Sequence, residues 1–197
     1  MNAVIFDVES NGKIKDWKTK LTANTLDNFP RITQLAWQKV CLETGEIVNE
    51  YQSLIKPDGW TIPKEEFFIK NNMSTERCEE FGRPLQEVLP LIIADLQDSE
   101  IVVAHNLNFD MKVIGAEMIR SEMSVGKQLI KVCTMESSID FCKLPPFRYG
   151  KYKFPKLVEL YKILFGRDMV GNHDAFDDVV GCRECFLQLI KLNQIII

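Results

Sequence analysis

The chain has 197 residues, 46% hydrophobic and 26% charged, which suits one folded domain with a substantial core and excludes global disorder. A net charge of -4, from 24 Lys and Arg against 28 Asp and Glu, argues against a protein that coats duplex nucleic acid with a broad basic face, but leaves room for an acidic site neutralised by metal. No stretch approaches the ~20 apolar residues of a membrane span, no signal-peptide pattern opens the chain, and six scattered cysteines read as reduced thiols, so a cytoplasmic location is expected.

Ala3-Val4-Ile5-Phe6 is a continuous apolar run of the kind a strand covered on both faces requires, and Asp7 and Glu9 continue it. Side chains alternate along a strand, so the two carboxylates share a face about 7 Å apart. Burying them unpaired is costly, which places them at the strand's exposed end, either gripping cations or beginning a solvated loop. Residues 11–28 are polar and lack sustained periodicity, and read as a long loop; that length suggests function. Ile32 to Val40 is a strand rich in bulky residues, Glu43 to Glu46 a turn, and Ile47 to Ile55 the returning strand of a hairpin. Residues 64–80 suggest short helices broken near Asn71-Asn72.

Leu85, Val88, Leu89, Ile92, Ile93 and Leu96 recur at three- and four-residue spacing, and predict an amphipathic helix opened by Pro84. Ile101 to Ala104 is a short buried strand leading through His105 and Asn106 into a helix that ends near Arg120. Another strand is expected at 129–134, with helices at 137–142, 155–165 and 174–192. A hairpin followed by alternating strands and helices implies an α/β fold with a mixed sheet, and the absence of a composition break implies a single domain over residues 1–197.

Three later places share the chemistry of the first strand. Asp110 follows a strand and a loop, where α/β enzymes often place functional groups. His173 and Asp174 precede the last helix, and Asp177 and Asp178 lie on its first turns; Asp174 and Asp178, four apart, share a helix face. The helix dipole favours an acidic first turn without any function, and this is the reading for Asp174 and Asp177.

In order, Phe6-Asp7-Val8-Glu9-Ser10, Ala104-His105-Asn106 with Phe109-Asp110, and His173-Asp174-Ala175-Phe176-Asp177-Asp178 resemble the DEDDh superfamily of 3′-to-5′ exonucleases. That superfamily includes the epsilon proofreading subunit of bacterial DNA polymerase III, ribonuclease T and oligoribonuclease. The last motif fits HxAxxD through His173, Ala175 and Asp178, and the phrases 30–37 and 156–161 favour the stand-alone branch. The resemblance implies a ribonuclease H-like fold, a mixed central β-sheet flanked by helices, that releases nucleoside 5′-monophosphates from single-stranded DNA or RNA ends. It assigns Asp7, Glu9, Asp110 and Asp178 as ligands of two Mg²⁺ or Mn²⁺ ions and His173 as the general base. Hard divalent ions take carboxylate oxygens, two of them ~3.5–4 Å apart serve both the attacking and leaving oxygens, and a near-neutral imidazole can take the water's proton. Ser10 matches a residue that holds the terminal nucleotide. Phe109 matches an aromatic beside it, or is simply a core residue at a helix start. Asn106 joins the substrate-binding candidates, though it and His105 are read mainly as supports behind the site.

Other readings are weaker. Cys182 and Cys185 offer two thiols without a second pair of zinc ligands, His173-Asp174 lacks the further histidine and spaced aspartate of HD-type phosphohydrolases, and no phosphate loop is present. Two alternatives stay open: a catalytically idle nucleic-acid-binding or adaptor module, and a proofreading subunit that needs a polymerase partner. A homodimer is compatible with the sequence, and DNA against RNA is undecided. Lys13, Lys15, Lys18 and Lys20, and Arg148, Lys151, Lys153 and Lys156, read as solvated surface; the first group could also guide a strand towards Asp7.

Overall fold

The computed structural model describes residues 1–146, 150–171 and 174–197. Five strands form one mixed sheet: β1 (Asn2–Ser10), β2 (Ile32–Cys41), β3 (Ile47–Leu54), β4 (Ile101–Ala104) and β5 (Ile130–Cys133), in the spatial order β3-β2-β1-β4-β5. The described helices are α1 (Glu66–Lys70), α2 (Thr75–Phe81), α3 (Leu85–Gln97), α4 (Leu107–Arg120), α5 (Thr134–Ser137), α6 (Ile139–Cys142), α7 (Leu157–Phe165) and α8 (Ala175–Lys191). The α/β expectation and the hairpin both hold: β1 runs antiparallel to β2, β2 to β3, and parallel to β4, which is parallel to β5.

Alternation along β1 decides what covers each face. Val4, Phe6 and Val8 enter one core with α3 and α4, built around Trp37, Leu89, Ile92 and Ile114. Ala3 and Ile5 enter the other core with α7 and α8, among Leu160, Val179, Cys182 and Phe186. Asp7 and Glu9 continue the odd-numbered series, and so emerge on the α8 face just beyond the apolar part of β1. Because β1 and β4 are parallel, with Ile5 beside Val103, their carboxyl ends share one edge, and the chain leaving β4 starts α4 there. In open α/β sheets this edge is where sites form.

Two stretches differ from the sequence reading. The loop at 11–28 contains a 3₁₀ helix, Ala23–Asn28, in which the Thr25 hydroxyl accepts from the Thr22 amide. Its apolar anchors Ile14, Leu21, Leu26 and Phe29 pack on Ala116 of α4 at irregular spacing, so no periodicity announces them. The helix expected over 137–142 is split into α5 and α6, and between them the buried Ser138 hydroxyl donates to the Thr134 carbonyl at 2.7 Å. No helix among the described residues is long and apolar enough to cross a membrane.

Candidate active site

Four carboxylates come together at the carboxyl end of β1. Asp7 and Glu9 come from β1, Asp110 from the first turn of α4, and Asp178 from the first turn of α8. One carboxylate oxygen each from Asp7, Glu9 and Asp178 lies within 4.8 Å of the others. Asp110 is only 3% exposed, and its Oδ2 has no hydrogen-bond partner among the described residues.

Carboxylates this close repel one another. Burial, then the charges of Asp110, Glu9 and Asp178, hold the Asp7 carboxyl well above the ordinary carboxylate range. Burial likewise raises Asp110, against the backbone amides of Val8 and of Asp110 itself, which favour its ionised form. Glu9 is pushed from 4.5 to about 7, first by burial and then by Asp178 and Asp174. Among the described residues no basic side chain forms an ion pair with Asp7, Glu9 or Asp110. An all-oxygen donor set with an orphaned buried oxygen and three carboxylates lacking an ion-paired base fits hard divalent cations.

The neighbouring Asp177 points elsewhere. Gly171, at φ +76°, leaves no room for a Cβ, which would lie 2.0 Å from the Asp177 Oδ2, so that carboxylate sits against the segment before α8. Asp174 caps α8, its Oδ1 accepting from the Phe176 amide at 3.0 Å, as the dipole argument expects. His173, the expected base, lies outside the described residues, as does Arg148 of the second basic stretch.

His105 does not face the acidic group. Its ring nitrogens lie 3.0 Å from the Thr134 hydroxyl and 3.0 Å from the Pro155 carbonyl. Because a carbonyl only accepts, Nε2 carries the proton and Nδ1 accepts from Thr134. Burial lowers its pKa to about 4, which keeps the ring neutral, and the histidine ties β4 to the start of α5 and to the chain before α7. Asn106 takes a left-handed conformation, φ 78° and ψ 43°, at the start of α4 without a side-chain cap; it shapes the turn that delivers Asp110. Behind Asp110, buried Glu117 of α4 accepts from Arg31 Nε at 2.8 Å and from the Ile32 amide at 3.2 Å, fixing α4 against the start of β2.

Beside Glu9 opens a cavity of about 690 Å³. Glu9, Ser10 and Lys13 form one side, and Phe67, Phe68 and Phe109 supply apolar walls. Ser10 donates to the Gly12 carbonyl at 2.9 Å, which bends the chain out of β1 around this opening. Phe109 is half-buried and leans on Trp17, with ring centroids 6.2 Å apart, and so is both packing residue and cavity wall. Asn106 is not part of this lining. Phe67 is a lining residue that the sequence motifs do not single out; its signal is a Phe-Phe pair opening a five-residue helix, too short to bury both rings, and Phe67 is 48% exposed. Cys182 and Cys185 are buried free thiols in α8, as expected.

No family model matches the chain. The DNA polymerase III PolC-type of Thermotoga maritima is 34% identical over 166 residues, covering 78% of this chain, and that of Caldanaerobacter subterraneus is 23% identical over 193 residues, covering 98%. The chain spans about a tenth of the length of these polymerases. The nuclease domain of 3′hExo, a DEDDh family member, superposes with a TM-score of 0.67 at 16% identity, over 96% of this chain and 92% of that one. The fold is that of the DEDDh exonucleases. Exonuclease I from Methylocaldum szegediense superposes with a TM-score of 0.73 at 18% identity, over 96% of this chain and 40% of that one. Escherichia coli exonuclease I, in complex with a dT13 oligonucleotide, gives 0.72 at 14% identity, over 98% and 41%.

Proposed function

We propose that this chain is a DEDDh-type 3′-to-5′ exonuclease that hydrolyses the terminal phosphodiester of single-stranded DNA or RNA and releases a nucleoside 5′-monophosphate. The observation that carries the reading is the convergence of Asp7, Glu9 and Asp178 within 4.8 Å, with buried Asp110 near enough for its charge to act on Asp7. Asp7, Glu9, Asp110 and Asp178 would hold two Mg²⁺ or Mn²⁺ ions, which when bound neutralise charge on the attacking and leaving oxygens. Carboxylates alone would repel the phosphodiester, so their part is to hold the ions that would offset its charge and orient it. His173 takes one proton of the attacking water as its oxygen bonds to phosphorus; the P–O3′ bond breaks, and the leaving O3′ takes a proton from solvent, so the shortened strand ends in a 3′-hydroxyl. Phe67 and Phe109 wall the cavity that receives the terminal base, with the chain at Ser10 against its sugar. Recognition of a single strand agrees with the acidic net charge and with a cavity bounded by aromatic faces.

The PolC-type relatives favour a second setting for the same chemistry, in which the chain removes mispaired ends beside a polymerase. The deciding experiment follows 5′-labelled single-stranded DNA and RNA of equal sequence in Mg²⁺ and in EDTA, for wild type and Asp7→Ala. A ladder shortening from the 3′ end, lost in EDTA and in the variant, is the expected result and ranks the two sugars. A folded wild type that binds the strand without shortening it would replace this reading with the adaptor, and activity only on adding a replicative polymerase would establish the proofreading setting.

A further inference from the structure

Asp178 reaches the acidic group only if α8 is held in one rotation and height against the sheet, and one side chain on β2 is built to hold it. Gln34 is opposite Glu9 in the antiparallel β1–β2 pairing and lies on the same sheet face as Ala36 and Val40, under α8. It is 5% exposed, an expensive place for a primary amide unless its donors and acceptor are engaged. Both ends are engaged, and both with the first turn of α8. Gln34 Nε2 donates to Asp174 Oδ2 at 3.0 Å, and Gln34 Oε1 accepts from the Ala175 amide at 3.3 Å. Asp174 meanwhile uses its other oxygen on the Phe176 amide. Two of the orphaned N–H groups at the helix start are thus satisfied, one by the cap and one by a strand residue.

The link to the site is a single hydrogen bond long. The first intrahelical bond of α8 runs from the Asp178 amide to the Asp174 carbonyl at 3.0 Å. The residue that Gln34 grips is therefore the one that receives the backbone of Asp178.

We propose that Gln34 is the positioning residue that sets the register of α8 against β1 and so holds the Asp178 carboxylate opposite Asp7 and Glu9. It acts through Asp174 rather than on substrate or metal. This inference rests on the metal-dependent reading above. Nothing in the sequence pairs the two: Gln34 is a strand position within the phrase 30–37, and Asp174 suits the helix dipole.

The test compares wild type, Gln34→Ala, Gln34→Glu, Asp174→Asn, and the pair Gln34→Glu with Asp174→Asn. Gln34→Glu sets a carboxylate against that of Asp174, whereas the pair restores a donor facing an acceptor with the direction reversed and net charge unchanged. Mn²⁺ affinity is measured by calorimetry and electron paramagnetic resonance, alongside oligonucleotide shortening at saturating metal. Displaced supports of metal ligands weaken affinity by about 10- to 100-fold, so Gln34→Ala and Gln34→Glu should raise the Mn²⁺ Kd by about tenfold or more. At saturating metal the KM for oligonucleotide stays near wild type, and the pair recovers most of the Mn²⁺ affinity. Thermal melts in EDTA separate this from general loosening, which the pair would not repair selectively. Wild type that binds Mn²⁺ and shortens 3′ ends, with Gln34→Glu matching it or the pair no better than Gln34→Glu alone, overturns the inference while sparing the function. Wild type that does neither overturns both.

Discussion

Replacing Glu9 by Gln should make the metal-free protein more stable at alkaline pH while destroying its response to metal. The folded chain raises Glu9 from 4.5 to about 7, chiefly by burial. A raised carboxyl supports the fold fully below about 4.5, and that support is lost as pH rises through about 7, because the unfolded chain has already released its proton. The displacement corresponds to about 3 kcal/mol at about 1.4 kcal/mol per pH unit, and solvent screening at this partly exposed carboxyl brings the measurable part to about 1–2 kcal/mol. For a domain of this size that is a rise in Tm of roughly 2–8 °C. Circular dichroism melts of wild type and Glu9→Gln in EDTA should therefore separate at pH 8 and nearly coincide at pH 5. Added Mg²⁺ should stabilise wild type by about 2.7 kcal/mol at a hundred times its Kd, and the variant by far less. A variant that melts below wild type at pH 8 in EDTA, or by the same margin at both pH values, would refute the argument that Glu9 is strained by unneutralised charge.

Two further outcomes follow from residues around the site. His105→Ala removes partners from Thr134 and the Pro155 carbonyl and should cost about 1–3 kcal/mol in urea unfolding at pH 8. The wild-type imidazole, lowered to about 4, supports the fold above 6.5 and loses that support as pH falls through about 4, so the gap between the two proteins should narrow in acid. Replacing Lys13, Lys15, Lys18 and Lys20 together by Ala should flatten the salt dependence of binding to a single strand, by about 0.7 in logarithmic slope for each phosphate that is no longer neutralised. All four are exposed, and Lys13 borders the cavity beside Glu9; an unchanged slope would return the loop to plain solvated surface.

Much of this protein is legible in its order of residues because the informative signals are local. The apolar run of β1, the three- and four-residue spacing of α3, and the turn between β2 and β3 depend on neighbours a few positions apart, and they appear where expected. Asp7 and Glu9 share a face by strand alternation alone, and Asp178 lies on the first turn of a helix whose apolar stripe is plain in the sequence. The 3₁₀ helix at 23–28 and the break at Ser138 are invisible there because hydroxyl hydrogen bonds and scattered apolar anchors, not periodicity, create them.

What only the tertiary structure decided depends on pairs far apart in the chain. Motif spacing alone singles out Asp178 over Asp177, and the packed chain adds that the Asp177 carboxylate lies in the space a Cβ on Gly171 would take. That His105 is a neutral brace follows from burial between Thr134 and Pro155, 29 and 50 residues away. Gln34 holds Asp174 across 140 residues, an interaction with no local pattern, since a glutamine in a strand looks alike whether it faces water or the first turn of a distant helix. Local periodicity reports which face a residue occupies; burial, register and hydrogen-bond partners belong to the packed chain, and they determine what the residue on that face can do.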